Sequence, residues 1–175
     1  MLTHWNKILT ADCKVVKVKD KLVYPIFRVG STSIIDSASE IYTNNEISGL
    51  DNILVLLRNP EDRFVSGLNE YCLQNKLDIH TALQMVDAGE LMDRHFAPQY
   101  IWLLHLSKYH DGSVTLLPFD HIKKLTDLHK RDTVLSRIQV KPLERFVEVD
   151  RKLMSVVGQT VMLKPLVKRY KDVLS

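Results

Sequence analysis

Five consecutive apolar residues, Ile53-Leu54-Val55-Leu56-Leu57, run directly into Arg58-Asn59-Pro60 and then into a segment with apolar residues at helical spacing. A strand with no polar face has to be covered on both sides, which is the condition of a strand inside a parallel sheet with helices above and below. Pro60 suits a first helical position, where its missing N–H would be unpaired anyway, and Glu61 and Asp62 complement the helix dipole. Phe64, Val65, Leu68, Tyr71 and Cys72 then mark one apolar stripe. The chain is therefore constrained to a strand, a turn and a covering helix.

The same plan is legible upstream. Residues 21–29 (KLVYPIFRV) predict a strand with Pro25 near its start or at an edge, ended by Gly30. Ser31-Thr32-Ser33 offers hydroxyls at a helix N-cap, and Ile34, Ile35, Ala38 and Ile41 predict the apolar stripe of that helix. Downstream, helices are predicted over 80–86, 98–109 and 120–128, with a third strand over 113–119. Two closing helices, 143–157 and 161–174, are separated by Gly158. Three strands alternating with helices predict an open α/β fold with a central, mainly parallel sheet flanked by helices. Ligands of such sheets bind beyond the carboxyl ends of the strands. That rule selects two turns, 28–33 and 58–60.

A length of 175 residues predicts a single domain over 1–175. Hydrophobic residues at 45% and charged residues at 26% are ordinary for a globular protein and exclude a disordered one. No apolar run approaches the roughly 18 residues of a membrane span, and the N-terminus lacks the layout of a signal peptide, so a cytoplasmic location is expected. Cys13 and Cys72 fit no metal-ligand spacing and read as thiols of a reducing compartment, with one disulfide between them left open. A net charge of +3 does not argue for a nucleic-acid partner. Its distribution is uneven, because residues 120–175 carry 13 basic and 7 acidic side chains, an excess suited either to an anionic ligand or to a solvated helical surface.

The first selected turn places Arg28, Val29, Gly30, Ser31, Thr32 and Ser33 between a strand end and a helix start, where free N–H groups attract an anion. An ordinary capped helix would look the same. The lysine of a Walker A loop is absent. The second turn adds Arg58, then Arg63 and Ser66, in the string RNPEDRFVS. An arginine fork and a nearby hydroxyl suit a phosphate. For Arg63 alone, a surface pairing with Glu61, Asp62 or Glu70 is the expectation.

Together these strings resemble the sulfotransferases that use 3′-phosphoadenosine 5′-phosphosulfate, in particular their carbohydrate-modifying branch. That family carries a Pro-Lys-x-Gly-[Ser/Thr]-[Ser/Thr] loop for the 5′-phosphosulfate, where this chain has Phe27-Arg28-Val29-Gly30-Ser31-Thr32. It carries Arg-[Asp/Asn]-Pro-x-x-Arg-x-x-Ser for the 3′-phosphate, matched by Arg58, Asn59, Pro60, Arg63 and Ser66 at the same spacing. His95-Phe96-Ala97-Pro98-Gln99 is similar to its His-[Trp/Phe]-x-Pro-Gln segment, and Leu166 through Val173 to its closing Tyr-x-x-Asp helix. Residues 129–160 do not align.

The resemblance implies a three-layer P-loop-like fold and transfer of a sulfuryl group to a hydroxyl, with a carbohydrate or small hydroxylated molecule as acceptor and no metal. It implies that Arg28 and residues 29–33 hold the phosphosulfate, and that Arg58 and Ser66 hold the 3′-phosphate, including that of the product 3′-phosphoadenosine 5′-phosphate. Arg28 stands where the family has lysine, which keeps the charge but changes the shape. His95 is the expected general base, since imidazole has a reference pKa of about 6.5. A structural role capping the helix that starts near Pro98 stands beside it, with Glu46 and Asp36 as weaker candidate bases. Two other readings remain: a nucleotide kinase of similar fold, against which the missing Walker lysine counts, and a catalytically inactive nucleotide-binding adaptor, for which Arg28 is the argument.

Overall fold

The apolar run forms β4 (Ile53–Leu57), and it is the centre of the sheet. The structure, a computed structural model, describes residues 2–126 and 137–174. Among them the other strands are β1 (Lys14–Val18), β2 (Lys21–Val23), β3 (Glu40–Thr43), β5 (Ser113–Pro118) and β6 (Thr160–Met162), in the order β3-β1-β2-β4-β5-β6. β4 runs parallel to β5 along its whole length, with Ile53 opposite Val114 and Leu57 opposite Pro118. It also runs parallel to β2, with Val23 opposite Leu54.

The α/β class holds, but the sheet is mixed rather than mainly parallel. β1 pairs antiparallel with both β2 and β3, and β6 pairs antiparallel with β5. The reason on one side is a two-residue turn, Lys19-Asp20, with φ of 47° and 64°. Two successive left-handed residues match the twist of a hairpin, so β1 and β2 must be antiparallel neighbours. Without a glycine or asparagine in that turn, the sequence pattern carried no hairpin signal.

Two expected elements are shorter than their apolar patterns. β2 ends at Val23, because Tyr24 N–H makes the final ladder bond to Leu54 O (2.9 Å) and Pro25 has no N–H to continue it. The next helix, α2 (Ser31–Asp36), stops before Ile41, which lies in β3 instead. Ser39 N–H is already bonded to Lys17 O (2.9 Å), so pairing with β1 has taken over from the helix. The N-cap of α2 is Gly30, not a hydroxyl residue.

The remaining helices follow their sequence signals more closely. α1 (Asn6–Leu9) precedes the sheet. α3 (Pro60–Asn75) has Pro60 in its first turn and is capped by Asn59, whose side chain accepts Asp62 N–H at 3.0 Å. α4 (Ile79–Asp87) is capped by Asp78 through Thr81 N–H. α5 (Gln99–Ser107) follows Pro98. A 3-10 turn, Phe119–His121, leads into α6 (Ile122–Leu125), which ends where Thr126 turns extended and so falls short of the expected 128; positions 127 and 128 lie outside the described residues. α7 (Glu144–Met154) and α8 (Leu163–Tyr170) flank Gly158 and β6, so Val161 is a strand residue rather than a helical one. Cys13 and Cys72 are both buried and free, which closes the disulfide alternative, and burial pushes the Cys13 thiol up to about 12. No helix among the described residues is long and apolar enough to cross a membrane.

α3 packs on α4 and α7, and α5 packs on α1, α7 and α8. One close approach in this packing is absolute. A Cβ built on Gly67 of α3 would lie 1.9 Å from His95 O, which is backbone and has nowhere to go. Alanine is ordinarily the better helix former by about 1 kcal/mol. Here Gly67→Ala is expected to lower stability by about 1–3 kcal/mol, as overpacking does. Chemical denaturation of the variant checks this sign reversal.

Candidate functional site

β2 and β4 are parallel neighbours, so the turns that follow them open at the same edge of the sheet. The two arginines of those turns converge on one hydroxyl. Arg28 Nη2 donates to Ser66 Oγ at 2.9 Å, and Arg58 Nη1 reaches the same atom at 3.5 Å and Arg28 O at 3.4 Å. Ser66 is buried on α3 one turn after Asp62, which places its hydroxyl beneath both guanidinium groups. Arg28 holds a φ of 64°, a left-handed backbone that a non-glycine residue adopts at a cost of about 1 kcal/mol. That turn directs its side chain back over α3.

The cluster is short of negative charge. Glu70 Oε2 lies 3.8 Å from Arg28 Nη1, a long contact for an ion pair, and Asp62 acts on Arg58 from a distance. Arg28 Nε is buried with no hydrogen-bond partner. Burial pushes Arg58 down to about 10, and the charges of Arg137 and Arg28 push the same way. Arg28 and Arg58 bring like charge to one hydroxyl, and Arg137 adds its own charge on Arg58. Arg137 lies in the stretch that resisted alignment, so nothing in the sequence marked it. Its neighbour Ile138 is tied to α3 by a reciprocal pair of bonds, Asn69 Nδ2 to Ile138 O and Ile138 N–H to Asn69 Oδ1, both 3.0 Å.

Gly30, with φ of 69°, sits against the segment after β5, where a Cβ would lie 2.0 Å from Ile122 Cδ1 and 3.3 Å from Phe119 Cε2. The Phe119 ring in turn lies 5.6 Å from the Arg58 guanidinium. Val29 is buried and its N–H is bonded to Ile26 O (3.1 Å), so neither its side chain nor its amide is available. Thr32 is exposed, and Ser31 and Ser33 are half-buried in the first turn of α2.

Arg63 departs from its expected surface pairing. It is 2% exposed and donates to Phe27 O through Nε (3.2 Å) and Nη2 (3.0 Å), and to Ala97 O through Nη1. A guanidinium with five donors can hold two loops together, and that is its role here. Ser66 and Arg58 thus meet Arg28, while Arg63, from the same string, ties the loops behind them.

His95 is buried, with its ring edge-on to Phe27 at 4.9 Å and near Tyr71 at 6.1 Å. Nδ1 is bonded to Asp93 Oδ1 at 2.5 Å, which leaves Nε2 as the atom able to take a proton. Asp93 is two residues before His95 and was visible in the sequence, but only folding back of the loop pairs them. His95 does not cap α5. Asp150 does, accepting Gln99 N–H at 2.7 Å and Tyr100 N–H at 2.9 Å. Gln99 then grips the backbone of Arg58 on both sides, accepting its N–H at 2.8 Å and donating Nε2–H to its carbonyl at 2.9 Å. Glu46 accepts the Thr43 hydroxyl in an exposed turn beyond β3, and Asp36 is exposed at the end of α2. Neither is joined to the arginine cluster.

Comparison of the chain with protein-family models, with curated proteins and with solved structures gives no match.

Burial raises the Asp150 carboxyl from its ordinary 3.8 to about 6, against the opposing pull of Gln99, Arg63 and Tyr100. The folded protein therefore holds this proton more tightly than the unfolded chain. Its stabilising contribution is complete below the ordinary value and is lost as pH rises through about 6. Between those limits wild type is expected to lose on the order of 2–3 kcal/mol that Asp150→Asn does not lose. Urea denaturation of both proteins across that window checks it, and parallel profiles would count against it.

Proposed function

We propose that this chain is a nucleotide-dependent group-transfer enzyme with a three-layer P-loop-like fold. Within that class, the reading supported best is a sulfotransferase that uses 3′-phosphoadenosine 5′-phosphosulfate and a hydroxyl acceptor. The observation that carries it is the convergence of Arg28 and Arg58 on Ser66, from the ends of two adjacent parallel strands. These are the residues that the two family-like strings single out, and they lie together in a cluster rich in positive charge.

The residues fit a doubly phosphorylated nucleotide: a partnerless buried Arg28 Nε, a hydroxyl shared by two guanidinium groups and the added positive charge of Arg137 on Arg58 all call for anionic oxygens. When bound, the donor supplies a sulfuryl group whose S–O bond to phosphate breaks, the electron pair staying on phosphate, while a new S–O bond forms to the acceptor oxygen. Arg58 and Ser66 hold the 3′-phosphate, and Arg28 with the Gly30–Ser33 turn balances charge at the 5′ side. His95, oriented by Asp93, takes the acceptor proton on Nε2. Asp150 and Gln99 act through Arg58 as positioning residues. The missing Walker lysine argues against a kinase, while Arg28 in the lysine position keeps an inactive nucleotide-binding adaptor as the second reading.

Loss of a charge-assisted contact costs about 1.5–3 kcal/mol. Arg58→Ala is thus expected to weaken 3′-phosphoadenosine 5′-phosphate by about tenfold or more, and adenosine 5′-phosphosulfate, which lacks the 3′-phosphate, hardly at all. Calorimetric titration of both ligands decides, and equal losses would remove the assignment.

His95→Gln preserves size and hydrogen bonding but not basicity, so turnover is expected to fall by on the order of 10² with nucleotide affinity kept. If instead turnover is unchanged and the melting temperature drops, His95 is a structural residue.

A further inference from the structure

A cavity of about 510 Å³ opens between the N-terminal helical segment and the turn that carries Phe27. Its walls are mostly apolar, with Trp5, Ile8, Phe27, Met92 and Trp102 among them. The rings of Phe27 and Trp102 are nearly parallel, 11° apart in plane with centroids at 6.3 Å. Ile35 of α2 also lines it and stays 43% exposed, whereas Ile34 beside it is 1% exposed. A short helix that buries one isoleucine and leaves the next at a cavity mouth offers apolar surface to something other than its own core.

The polar groups on the walls are unevenly committed. Asp12 already accepts from Asn44 Nδ2 (3.0 Å), and Asp93 is held by His95. His105, pushed down by burial and therefore neutral, is bonded on both ring nitrogens, to Tyr24 Oη (2.9 Å) and Ala11 O (2.8 Å). Both carboxylates keep free acceptor positions, and beside them stand three cations: Arg94, lying over the Phe27 ring at 4.7 Å, with Lys7 and Lys14. None of the three has a carboxylate partner among the described residues. A pyranose needs donors and acceptors around its whole rim, whereas most of these walls are apolar and three of the five charged groups on them are cations. A flat apolar body with one carboxylate matches them better, its ring on Phe27 and Trp102 and its charge at Arg94.

We infer that this cavity is the acceptor site and that it takes a phenolic acid, a hydroxylated aromatic ring bearing a carboxylate, rather than a sugar. The role as acceptor rests on the sulfotransferase reading; the binding itself does not. Two walls tie the cavity to the proposed chemistry. Phe27 immediately precedes Arg28, and Asp93 orients His95.

The test is built into the chain, because its two tryptophans, Trp5 and Trp102, both line the cavity. Tryptophan fluorescence of the full chain, without nucleotide, is titrated with para-hydroxyphenylacetate, with tyrosol, which keeps the phenol but lacks the carboxylate, and with glucuronate, which keeps the carboxylate but lacks the apolar ring. A saturable change with para-hydroxyphenylacetate is expected, on the order of tenfold weaker for tyrosol and absent for glucuronate. Arg94→Gln should bring para-hydroxyphenylacetate down to the affinity of tyrosol while leaving 3′-phosphoadenosine 5′-phosphate binding unchanged. Tighter binding of glucuronate, no saturation with the phenolic acid, or unchanged selectivity in Arg94→Gln would each overturn the inference. If the phenolic acid binds while the nucleotide does not, the sulfotransferase reading falls and the cavity assignment stands.

Discussion

Arg63 carries a positive charge into an interior where the unpaired ion would cost several kcal/mol, and the site is assembled around satisfying it. Its donors close on Phe27 O and Ala97 O, carbonyls from the turn after β2 and from the segment leading into α5. Burial pulls Arg63 down to about 10, and Asp150 opposes that pull. Asp150 in turn caps α5 and fixes Gln99, and Gln99 fixes the backbone of Arg58. One buried cation thereby sets the relative position of the Phe27–Arg28 turn, the Arg58 turn and the loop carrying His95. Loss of the Arg63 guanidinium would leave Phe27 O and Ala97 O without these donors.

This arrangement separates building from binding within a single nine-residue string. Arg58 and Arg28 form a half-buried, electropositive edge around the buried Ser66 hydroxyl, whereas Arg63 faces inward. The helical period accounts for the division: positions 63 and 66 are close on α3, but the Arg63 guanidinium is long enough to reach past the helix to the far loops. Gly67 completes the geometry by letting the His95 carbonyl approach α3 within the space of a missing methyl group. The mechanism proposed above therefore depends on two residues, Arg63 and Gly67, that touch no reacting group.

The positive charge crowded at the site also has an energetic meaning. The charges of Arg137 and Arg28 act unfavourably on Arg58, with Glu70 a distant counter-charge to Arg28. On the proposed reading, a polyanion would meet donors already in place and spend little on reorganisation. The cavity is different in kind. It is largely apolar and its cations lie at the rim, which suits recognition of a ring by contact area and of one charge by direction.

The sequence by itself determined the elements whose causes are local. The run 53–57 could only be a covered strand, Asn59-Pro60 could only begin a helix, and the spacing of Arg58, Arg63 and Ser66 marked a candidate anion site. Tertiary structure alone decided the rest, because each remaining feature couples residues far apart in the chain. The Lys19-Asp20 hairpin turned one half of the sheet antiparallel through two positive φ angles that neither residue type advertises. Asp150 reached across 50 residues to cap α5, a task that the local pattern left to His95. Arg63 looked like a surface residue among acids, and only the closeness of two distant carbonyls drew it inside. Periodicity reports which face of an element is buried. It does not report what a buried polar group will meet there, since that partner arrives from another part of the chain.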